Sequence, residues 1–351
     1  MAYPYKRERI EAELRRWLAA GKYAPGDRFP SDQELARLFK VTHVTVRGAL
    51  KSLVAEGVLI RHIGQGTVVS EAGKTSAARL GTAVAVAIPD NTHSFFAEML
   101  KGIEGSLFPL RRPLLLAHTW ELGEREEAAV QSWMGQGVRQ MVLVPTIVRS
   151  EFYRDLIAAG VRVVLADRSV PDVDLPTVSS RDDVGAKNVT RLLLDLGHRR
   201  ILHLAGPAQV STARDRVAGF RQAMADAGAS DTATILPGGF FMDESYQAMK
   251  RHLATHAPLD AVMACNDPAA VGAVRAIEEA GLTVPRDVSV AGYGDTDLAR
   301  NFNLTSVRQF PERMGAEAIR LLMMADVLRK THSLQIDPET TVRGSTAARG
   351  S

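Results

Sequence analysis

Polar side chains follow several apolar segments in the C-terminal three quarters of the chain, and their types suit the binding of a polyol. A sugar hydroxyl donates a hydrogen bond to a carboxylate and accepts one from an amide or a guanidinium group. Phenylalanine rings pack against the C–H faces of such a ligand. The same polar residue types also cap helices and form turns, and that alternative stands beside the binding interpretation. The candidates are the segment from Asp90 to Ser94, Thr146, Asp167-Arg168, Asn266-Asp267 and Asp295, with the aromatic residues Phe95, Phe96 and Phe240.

A second group of candidates lies near the N-terminus, where the segment THVTVR begins a predicted helix. It carries hydroxyl, imidazole and guanidinium groups on Thr42, His43, Thr45 and Arg47, together with the apolar Val44. The N-terminus of such a helix can bind phosphates through backbone N–H groups and reach base edges in a major groove. A valine there can contact a thymine methyl group. The alternative is an ordinary pair of surface helices.

The elements around this segment predict a winged helix-turn-helix. Ser31 and Glu34 have the spacing of a capping box at the start of the preceding helix. Apolar residues at helical spacing predict a further helix before the one that Ser31 begins. They also form a stripe along the helix that begins with THVTVR. Downstream, strand patterns at 58–62 and 67–69 flank a glycine turn. Three helices followed by a glycine-tipped hairpin form a winged helix-turn-helix.

From residue 82 the pattern changes to apolar strands that alternate with amphipathic helices. This alternation indicates parallel sheets covered by helices on both faces, and its length indicates two lobes. Ligands bind at the carboxyl ends of strands in such sheets, which is where the polar candidates lie. We therefore predict an α/β protein with a winged helix-turn-helix at 1–70, a linker at 71–81, a two-lobed domain for effector binding and dimerisation at 82–345, and a tail at 346–351.

Composition and charge exclude several classes of protein. The 351 residues are 46% hydrophobic and 24% charged, as in globular proteins, with a net charge of +3. Residues 1–80 hold 14 basic and 8 acidic residues, so the predicted DNA-binding region is basic, as phosphate binding requires. Cys265 is the single cysteine, which excludes an intrachain disulfide and a cysteine metal cluster. We see no secretion signal and no membrane span of about 18 apolar residues, and predict a cytoplasmic protein.

Residues Tyr5 to Ser70 resemble the GntR-type DNA-binding domain in element order, in the segment PGDRFPS and in GQGTVV. Two positions of the recognition turn depart from the usual pattern, since His43 and Val44 stand where Arg and Thr are common. Gln33 likewise replaces a frequent Arg between two acidic residues. The operator is therefore expected to differ from those of better-matching relatives. The resemblance implies DNA contacts by Arg28, Ser31, Thr42, His43, Val44, Thr45, Arg47, His62, Gln65 and Gly66.

The region from 82 to about 345 resembles the sensor core of LacI-type regulators, which is shared with periplasmic sugar-binding proteins. The resemblance is carried by segments such as VVLADRSVP, GHRRILHLAGP, ARDRVAGFRQAM and ACNDPAAVGAVRAIEEAGLTVPRDVSVAGY. It implies a two-lobed, periplasmic-binding-protein-like α/β/α fold. Three crossings are expected near Ser179–Arg181, Thr305–Arg308 and Leu328–Lys330, which assigns 82–180 and 308–328 to one lobe and 181–305 and 330–345 to the other.

The LacI-type resemblance also implies an effector site. Arg216 matches the arginine that grips the effector, and Gly294 stands where an effector-binding acid is usual. A GntR-type head on a LacI-type sensor is similar to the arabinose-responsive repressors. The predicted effector residues are Phe95, Phe96, Thr146, Asp167, Arg216, Phe240, Asn266 and Asp295.

These features predict an effector-responsive transcriptional regulator, most simply a repressor of carbohydrate metabolism genes that a small sugar-like ligand releases from DNA. The partners would be a palindromic double-stranded operator, a sugar or sugar derivative, and a second copy of the chain, with no membrane. Three alternatives remain: an activator or corepressor-dependent regulator, a transport binding protein, and an α/β enzyme using His93, Asp167 or Asp267. We find no P-loop, nucleophile elbow, zincin motif or Rossmann fingerprint, and predict no catalytic residue, cofactor or metal.

Overall fold

Two compact units make up the chain, Met1–Thr82 and Ala83–Ser351. The structure, a computed structural model, describes residues 4–55, 57–62, 66–70, 80–90, 94–255, 257–324 and 333–350. Several predictions concern residues outside these ranges. They are Gln65, residues 71–79 of the predicted linker, His93 with its two predecessors, and the crossing at Leu328–Lys330.

The first unit is a winged helix-turn-helix, which confirms the predicted fold. Its elements are α1 (Pro4–Ala19), β1 (Arg28–Phe29), α2 (Asp32–Phe39), α3 (His43–Ala55), β2 (Leu59–His62) and β3 (Gly66–Val69). The three strands form an antiparallel sheet in the order β1–β3–β2. Leu14, Leu35, Leu50 and Leu53 are fully buried, so the apolar stripes of the three helices share one core.

Local signals set the turn between α2 and α3. The backbone N–H of Ser31 donates to Glu34 Oε2 at 2.7 Å, and Ser31 Oγ accepts from the Glu34 N–H at 3.2 Å. This reciprocal pair is the predicted capping box. Lys40 ends α2 in the left-handed conformation, with a φ of 53°. The N–H of Thr45 then donates to Thr42 Oγ1 at 3.4 Å, at the residue before α3.

Two six-stranded sheets form the second unit, and each sheet with its helices is one lobe. The first sheet contains, in spatial order, β5 (Leu114–His118), β4 (Val84–Ile88), β6 (Gln140–Leu143), β7 (Arg162–Ala166), β8 (Thr177–Ser180) and β14 (Leu334–Ile336). The second contains β10 (Thr234–Pro237), β9 (Ile201–Ala205), β11 (Ala261–Ala264), β12 (Ser289–Gly294), β13 (Thr305–Arg308) and β15 (Glu339–Thr341). All pairings are parallel except that of β13 with β15. All five residues of β4 are buried, as expected for a parallel sheet between helical layers.

Helices cover both sheets. The first lobe carries α4 (Ser94–Leu107), α5 (Gly123–Gly135), α6 (Ser150–Ala158) and α12 (Pro311–Met323), and the second carries α7 (Asp182–Asp195), α8 (Ser211–Asp226), α9 (Met242–Leu253), α10 (Asp267–Glu279) and α11 (Asp297–Asn301). The pairs α4 with α12, α7 with α8 and α9 with α10 pack most extensively. No helix in the described ranges is long and apolar enough to cross a membrane.

Within the described residues, the chain passes between the lobes three times. The first passage lies between β8 and α7, as predicted, and the second follows β13, at the end of the predicted range Thr305–Arg308. The third joins β14 to β15 at Asp337-Pro338. Because β14 pairs with β8, the assignment of all residues from 330 to 345 to the second lobe was wrong.

The residues predicted as a C-terminal tail pack against the second lobe. The N–H of Arg349 donates to Leu196 O at 2.8 Å, and its guanidinium donates to Asp260 Oδ2 at 3.0 Å. The Ala347 carbonyl lies 3.0 Å from His198 Nε2. The second lobe therefore continues at least to Arg349, beyond the predicted boundary at 345. The segment has no strand or helix pattern, so nothing local indicated that it packs.

The contact between α4 and α12 gives a stability prediction. A Cβ atom added at Gly315 would lie 2.1 Å from the Met99 carbonyl oxygen, so Gly315→Ala must push the two helices apart. We expect this change to lower the free energy of unfolding by about 1–3 kcal/mol. Gly105→Ala is the matched control, because a Cβ there meets nothing within 4 Å and alanine favours the helix. Chemical denaturation of the two variants measures the difference, and equal stability would contradict the close approach of α4 and α12.

Candidate functional site

The first turn of α3 presents the side chains that the sequence predicted to contact DNA. His43 and Val44 are exposed, and Val44 leaves 66% of its surface accessible. The hydroxyl oxygens of Thr42 and Thr45 lie 3.0 Å apart beside them. Because the first N–H groups of a helix lack partners within the helix, this end is suited to a phosphate.

Asp32 joins α3 to the hairpin of β2 and β3, which we call the wing. Arg47 Nε donates to Asp32 Oδ2 at 3.3 Å, and Arg61, on β2, donates to Asp32 Oδ1. Arg28 lies beside the wing, since a Cβ at Gly66 would be 3.5 Å from Arg28 Nε. The exposed guanidinium groups of Arg47 and Arg61 thus meet at Asp32 beside α3, and a third, that of Arg28, lies beside the wing; exposed cations of this kind suit a phosphate-binding surface.

The two ion pairs of Asp32 orient the elements that a winged helix-turn-helix applies to DNA. Because these pairs are exposed, each contributes little to stability. They hold the cations of Arg47 and Arg61 at a defined spacing, and phosphates can then replace the Asp32 carboxylate as their partner.

Other predicted DNA contacts have different surroundings. Ser31 uses its hydroxyl in the capping box, whereas His62 is exposed at the end of β2. Gln65 lies outside the described residues. The sequence-based set omitted Arg61, although its basic side chain beside His62 in a predicted strand was an available signal.

A cleft of about 310 Å³ lies between the two lobes of the second unit, at the carboxyl ends of strands from both sheets. Two of its walls come from segments next to β7 and β12, the strands followed by Asp167 and Asp295. The cleft brings together six of the eight predicted effector residues, namely Phe95, Phe96, Asp167, Arg216, Phe240 and Asn266.

Asp167 directly follows β7 and adopts a positive φ of 64°. Its side chain is 6% exposed, and its Oδ1 atom has no hydrogen-bond partner in the described structure. Burial raises the pKa of the Asp167 carboxyl group to about 6, against the opposing effect of the Arg168 charge. An unpartnered buried acceptor in a cleft wall is where a ligand hydroxyl can donate.

Arg168 lies beside Asp167 and is equally buried. Its two terminal nitrogens donate to the two carboxylate oxygens of Glu121 at 2.6 and 2.7 Å, and one also donates to Pro145 O at 3.2 Å. Its Nε has no hydrogen-bond partner in the described structure and lies 3.7 Å from Asp167 Oδ2. The guanidinium carbon is 5.7 Å from the ring centre of Phe240 in the other lobe. An unpartnered donor therefore stands next to the unpartnered acceptor.

Arg216 enters the cleft from α8 and is held within its own lobe. Its guanidinium donates twice to Asp182 Oδ1 at 3.3 Å and once to Cys265 O at 2.6 Å. The group also lies over the Tyr293 ring, 4.1 Å from its centre. Gln309 donates to the same Asp182 oxygen at 3.1 Å. Asp182 and Gln309 lie next to the first and second passages between the lobes, and we call these connecting segments the hinge. Arg216 is therefore hydrogen-bonded to the hinge through Asp182.

Aromatic rings supply the apolar walls. Phe95 and Phe96 meet edge to face with ring centres 5.2 Å apart. Phe240 packs on Gly206, where an added Cβ would lie 2.5 Å from the ring. Asn266 lines the cleft but uses its amide structurally: Oδ1 caps α10, and Nδ2 donates to the Phe240 carbonyl at 2.9 Å. Its position fits the capping alternative, and it holds Phe240 in place.

Two predicted effector residues are not among those lining the cleft. Thr146 donates its N–H and hydroxyl to the buried carboxylate of Glu126, at 2.7 and 2.6 Å, and lines an adjoining chamber. Asp295 pairs with Arg343 at 2.6 Å. Gly294 does line the cleft, with a φ of 124° that disfavours any side chain. A residue's place at a strand end thus did not determine which way its side chain points.

Sequence reasoning missed Glu121, because an acid in ELGEREEA cannot be told from its surface neighbours. It adopts a positive φ of 59°, and its carboxylate accepts both hydrogen bonds from Arg168. Tyr293 and Gln309 were also missed, and both contact the Arg216 cluster. The described residues contain no group of three or more His, Cys, Asp or Glu side chains that could hold a metal ion.

Both units match models of known protein families. Residues 6–69 match the model of bacterial regulatory proteins of the gntR family, and residues 190–346 match the periplasmic binding protein-like domain. The HTH-type transcriptional regulator CelR of Thermobifida fusca is 32% identical over 268 residues, which cover 74% of this chain and 78% of CelR. The ribose operon repressor of Halalkalibacterium halodurans is 27% identical over 268 residues, covering 75% of this chain and 79% of that protein.

This chain belongs to the HTH-type transcriptional regulators with a periplasmic-binding-protein-like sensor. Among solved structures, a LacI family transcriptional regulator from Enterococcus faecium with bound ribose superposes with a TM-score of 0.68 at 25% identity. The alignment covers 76% of this chain and 99% of that structure. The protein is a DNA-binding transcriptional regulator and not an enzyme.

The Asp167 environment predicts a pH dependence of this regulator's stability. A carboxyl group whose pKa rises from 3.8 to about 6 on folding stabilises the fold at low pH, and this contribution is lost as pH rises through 6. From pH 7.5 to pH 5, we expect the unfolding free energy of the sensor to rise by about 1–1.5 kcal/mol more in the wild type than in Asp167→Asn. Denaturation of the unliganded chain at both pH values measures this. The exposed Asp172→Asn variant should follow the wild type, and identical profiles for all three proteins would refute a buried Asp167 carboxyl group.

Proposed function

We propose that a small neutral sugar closes the cleft between Asp167 and Phe240 and thereby controls binding of a homodimer to a palindromic operator. The observation that carries this is that two buried atoms of neighbouring residues, Asp167 Oδ1 and Arg168 Nε, have no hydrogen-bond partner in the described structure, while Nε lies 3.7 Å from the other Asp167 oxygen. A hydroxyl group donates and accepts at once, so it satisfies both atoms together. The flanking phenylalanine rings then cover the C–H face of the ligand.

Contacts between the lobes support a closure mechanism. The N–H of Ser169 in the first lobe donates to Ser211 Oγ in the second at 3.0 Å. Arg300 of the second lobe lies 3.8 Å from Glu98 of the first. A ligand that touches both walls adds to these contacts and shifts the population toward the closed form. Arg216 would face it from the second lobe, where its charge partly opposes the rise in the pKa of Asp167 that burial causes.

The relatives support a sugar as the ligand class. One similar structure holds ribose, and one similar protein is a ribose operon repressor. On this basis we infer that the chain represses carbohydrate genes in the cytoplasm and that the sugar releases it from DNA. An activator or a corepressor-dependent repressor would instead bind DNA more tightly with sugar.

The first unit supports the part of the proposal that concerns DNA binding. Arg47 and Arg61 present exposed positive charge beside α3, and Arg28 adds an exposed charge beside the wing. Two such heads in a two-fold dimer would read two half-sites of opposite orientation. The wing would contact the adjacent backbone.

A thermal-shift screen of ribose, arabinose, glucose, galactose and cellobiose tests the proposed sugar binding. A sugar that binds the folded sensor raises its melting temperature by mass action. For the sugar found, Asp167→Asn should weaken binding about tenfold to a hundredfold, because a hydrogen bond to a charged group is lost. Asp295→Asn is the matched control and should keep wild-type affinity, since Asp295 pairs with Arg343. Equal loss in the two variants, or no sugar binding at all, would refute the assignment.

The proposed DNA binding is tested in two steps. Genomic fragments that the protein retains are selected first, and gel shifts on the selected operator then measure affinity. Arg47→Ala and Thr42→Ala should abolish operator binding, because they remove a phosphate or base contact and the cap of α3. The sugar should still raise the melting temperature of both variants. Arg16→Ala removes the same charge from an exposed site on α1 and should bind the operator normally. Unchanged affinity of Arg47→Ala would refute the placement of α3 on DNA.

A further inference from the structure

Each of the two arginines that line the cleft is paired with a carboxylate. Four acidic side chains and two basic ones are found among the described residues that line it: Asp90, Glu121, Asp167 and Asp297, with Arg168 and Arg216. Arg168 is paired by Glu121, and Arg216 is paired by the buried Asp182. Neither guanidinium group therefore offers an uncompensated positive charge to a ligand.

The geometry of the Glu121 pair decides which atoms of Arg168 remain available. Arginine recognises phosphate and carboxylate groups through a fork of two parallel N–H bonds. Here the fork is already occupied, because the two terminal nitrogens bond the two oxygens of Glu121 at 2.6 and 2.7 Å. Among its nitrogens, only Nε has no hydrogen-bond partner in the described part of the chain, and it stands 3.7 Å from Asp167 Oδ2.

An anionic group placed at this Nε would be repelled by two carboxylates. Asp167 lies on one side, and at neutral pH it is largely ionised because its pKa is about 6. Glu121 lies on the other side, with 27% of its side chain exposed. An uncharged hydroxyl meets no such repulsion, because it donates to Asp167 Oδ1 while it accepts from Nε.

We propose that Glu121 determines ligand specificity by occupying the fork of Arg168, so that the cleft binds uncharged polyhydroxylated ligands and rejects their phosphorylated and carboxylated derivatives. This inference rests on the proposed function, since it concerns the same cleft. It adds a residue outside the sequence-based set and defines the chemical class of the effector. Free sugars, and not the products of sugar kinases or of oxidation to uronates, are then the signal.

Calorimetric titration of the full-length wild-type protein with matched probes tests this inference. The pairs are ribose with ribose 5-phosphate, glucose with glucose 6-phosphate, and glucose with glucuronate. For at least one pair the neutral sugar should bind, and its charged derivative should bind at least about tenfold more weakly, which is the cost of one unfavourable charged contact.

Glu121→Gln is the diagnostic variant, because glutamine keeps the size and removes the charge that neutralises Arg168. It should shift the ratio of anion affinity to neutral-sugar affinity at least about tenfold toward the anion. Glu124→Gln removes one charge from an exposed site at the start of α5 and should keep the wild-type ratio. Melting temperatures of both variants verify that they are folded.

The outcomes separate this inference from the proposed function. If the wild type binds a phosphorylated or carboxylated sugar as tightly as its neutral partner, the role of Glu121 is overturned while the sugar-sensing function stands. The same holds if folded Glu121→Gln keeps the wild-type ratio. If the wild type binds none of these probes, charged or neutral, the proposed function itself is overturned. If Glu121→Gln does not fold, equal binding of a charged derivative and its neutral partner by the wild type still overturns the inference.

Discussion

The pairing of buried Arg168 with Glu121 is the interaction on which the cleft depends. A guanidinium group taken out of water is costly unless a carboxylate and further hydrogen bonds compensate it. Glu121 supplies the carboxylate and Pro145 a carbonyl, so one side chain ties together the loops that follow β5, β6 and β7. The same group reaches Phe240 in the other lobe. Losing Glu121 would leave a buried charge without its main partner and would disturb all of these loops.

A similar compensation organises the second lobe. Arg216 is held by Asp182, which also accepts from Gln309. These two partners stand where the chain passes between the lobes, so the cleft and the hinge share one buried hydrogen-bonded cluster. A ligand that changes the surroundings of Arg216 acts on both passages. The cluster offers a physical route from ligand binding to the relative position of the lobes, without requiring contact between the ligand and the hinge.

Sequence alone determined the helices and strands that local patterns specify and the families that the motifs resemble. The capping box of Ser31 and Glu34 and the fully apolar β4 are short-range signals, and they predicted the elements correctly. Five of the six cleft residues were chosen because parallel strands bring their carboxyl ends to one edge, whereas Arg216 was assigned only from the resemblance to LacI-type regulators. Sequence could not decide side-chain direction: Asp295 turned to Arg343, and Thr146 turned to Glu126.

Only the tertiary structure decided which charges meet. Glu121 is 47 residues from Arg168, and Gln309 is 127 residues from Asp182, so no local pattern reveals either contact. The pairing of β14 with β8 is likewise a long-range contact. Because of it, the third passage between the lobes lies at Asp337-Pro338, after β14, and not before this strand as predicted. Local propensity selects elements from neighbouring residues, whereas a buried charge finds its partner only after the chain has folded around it.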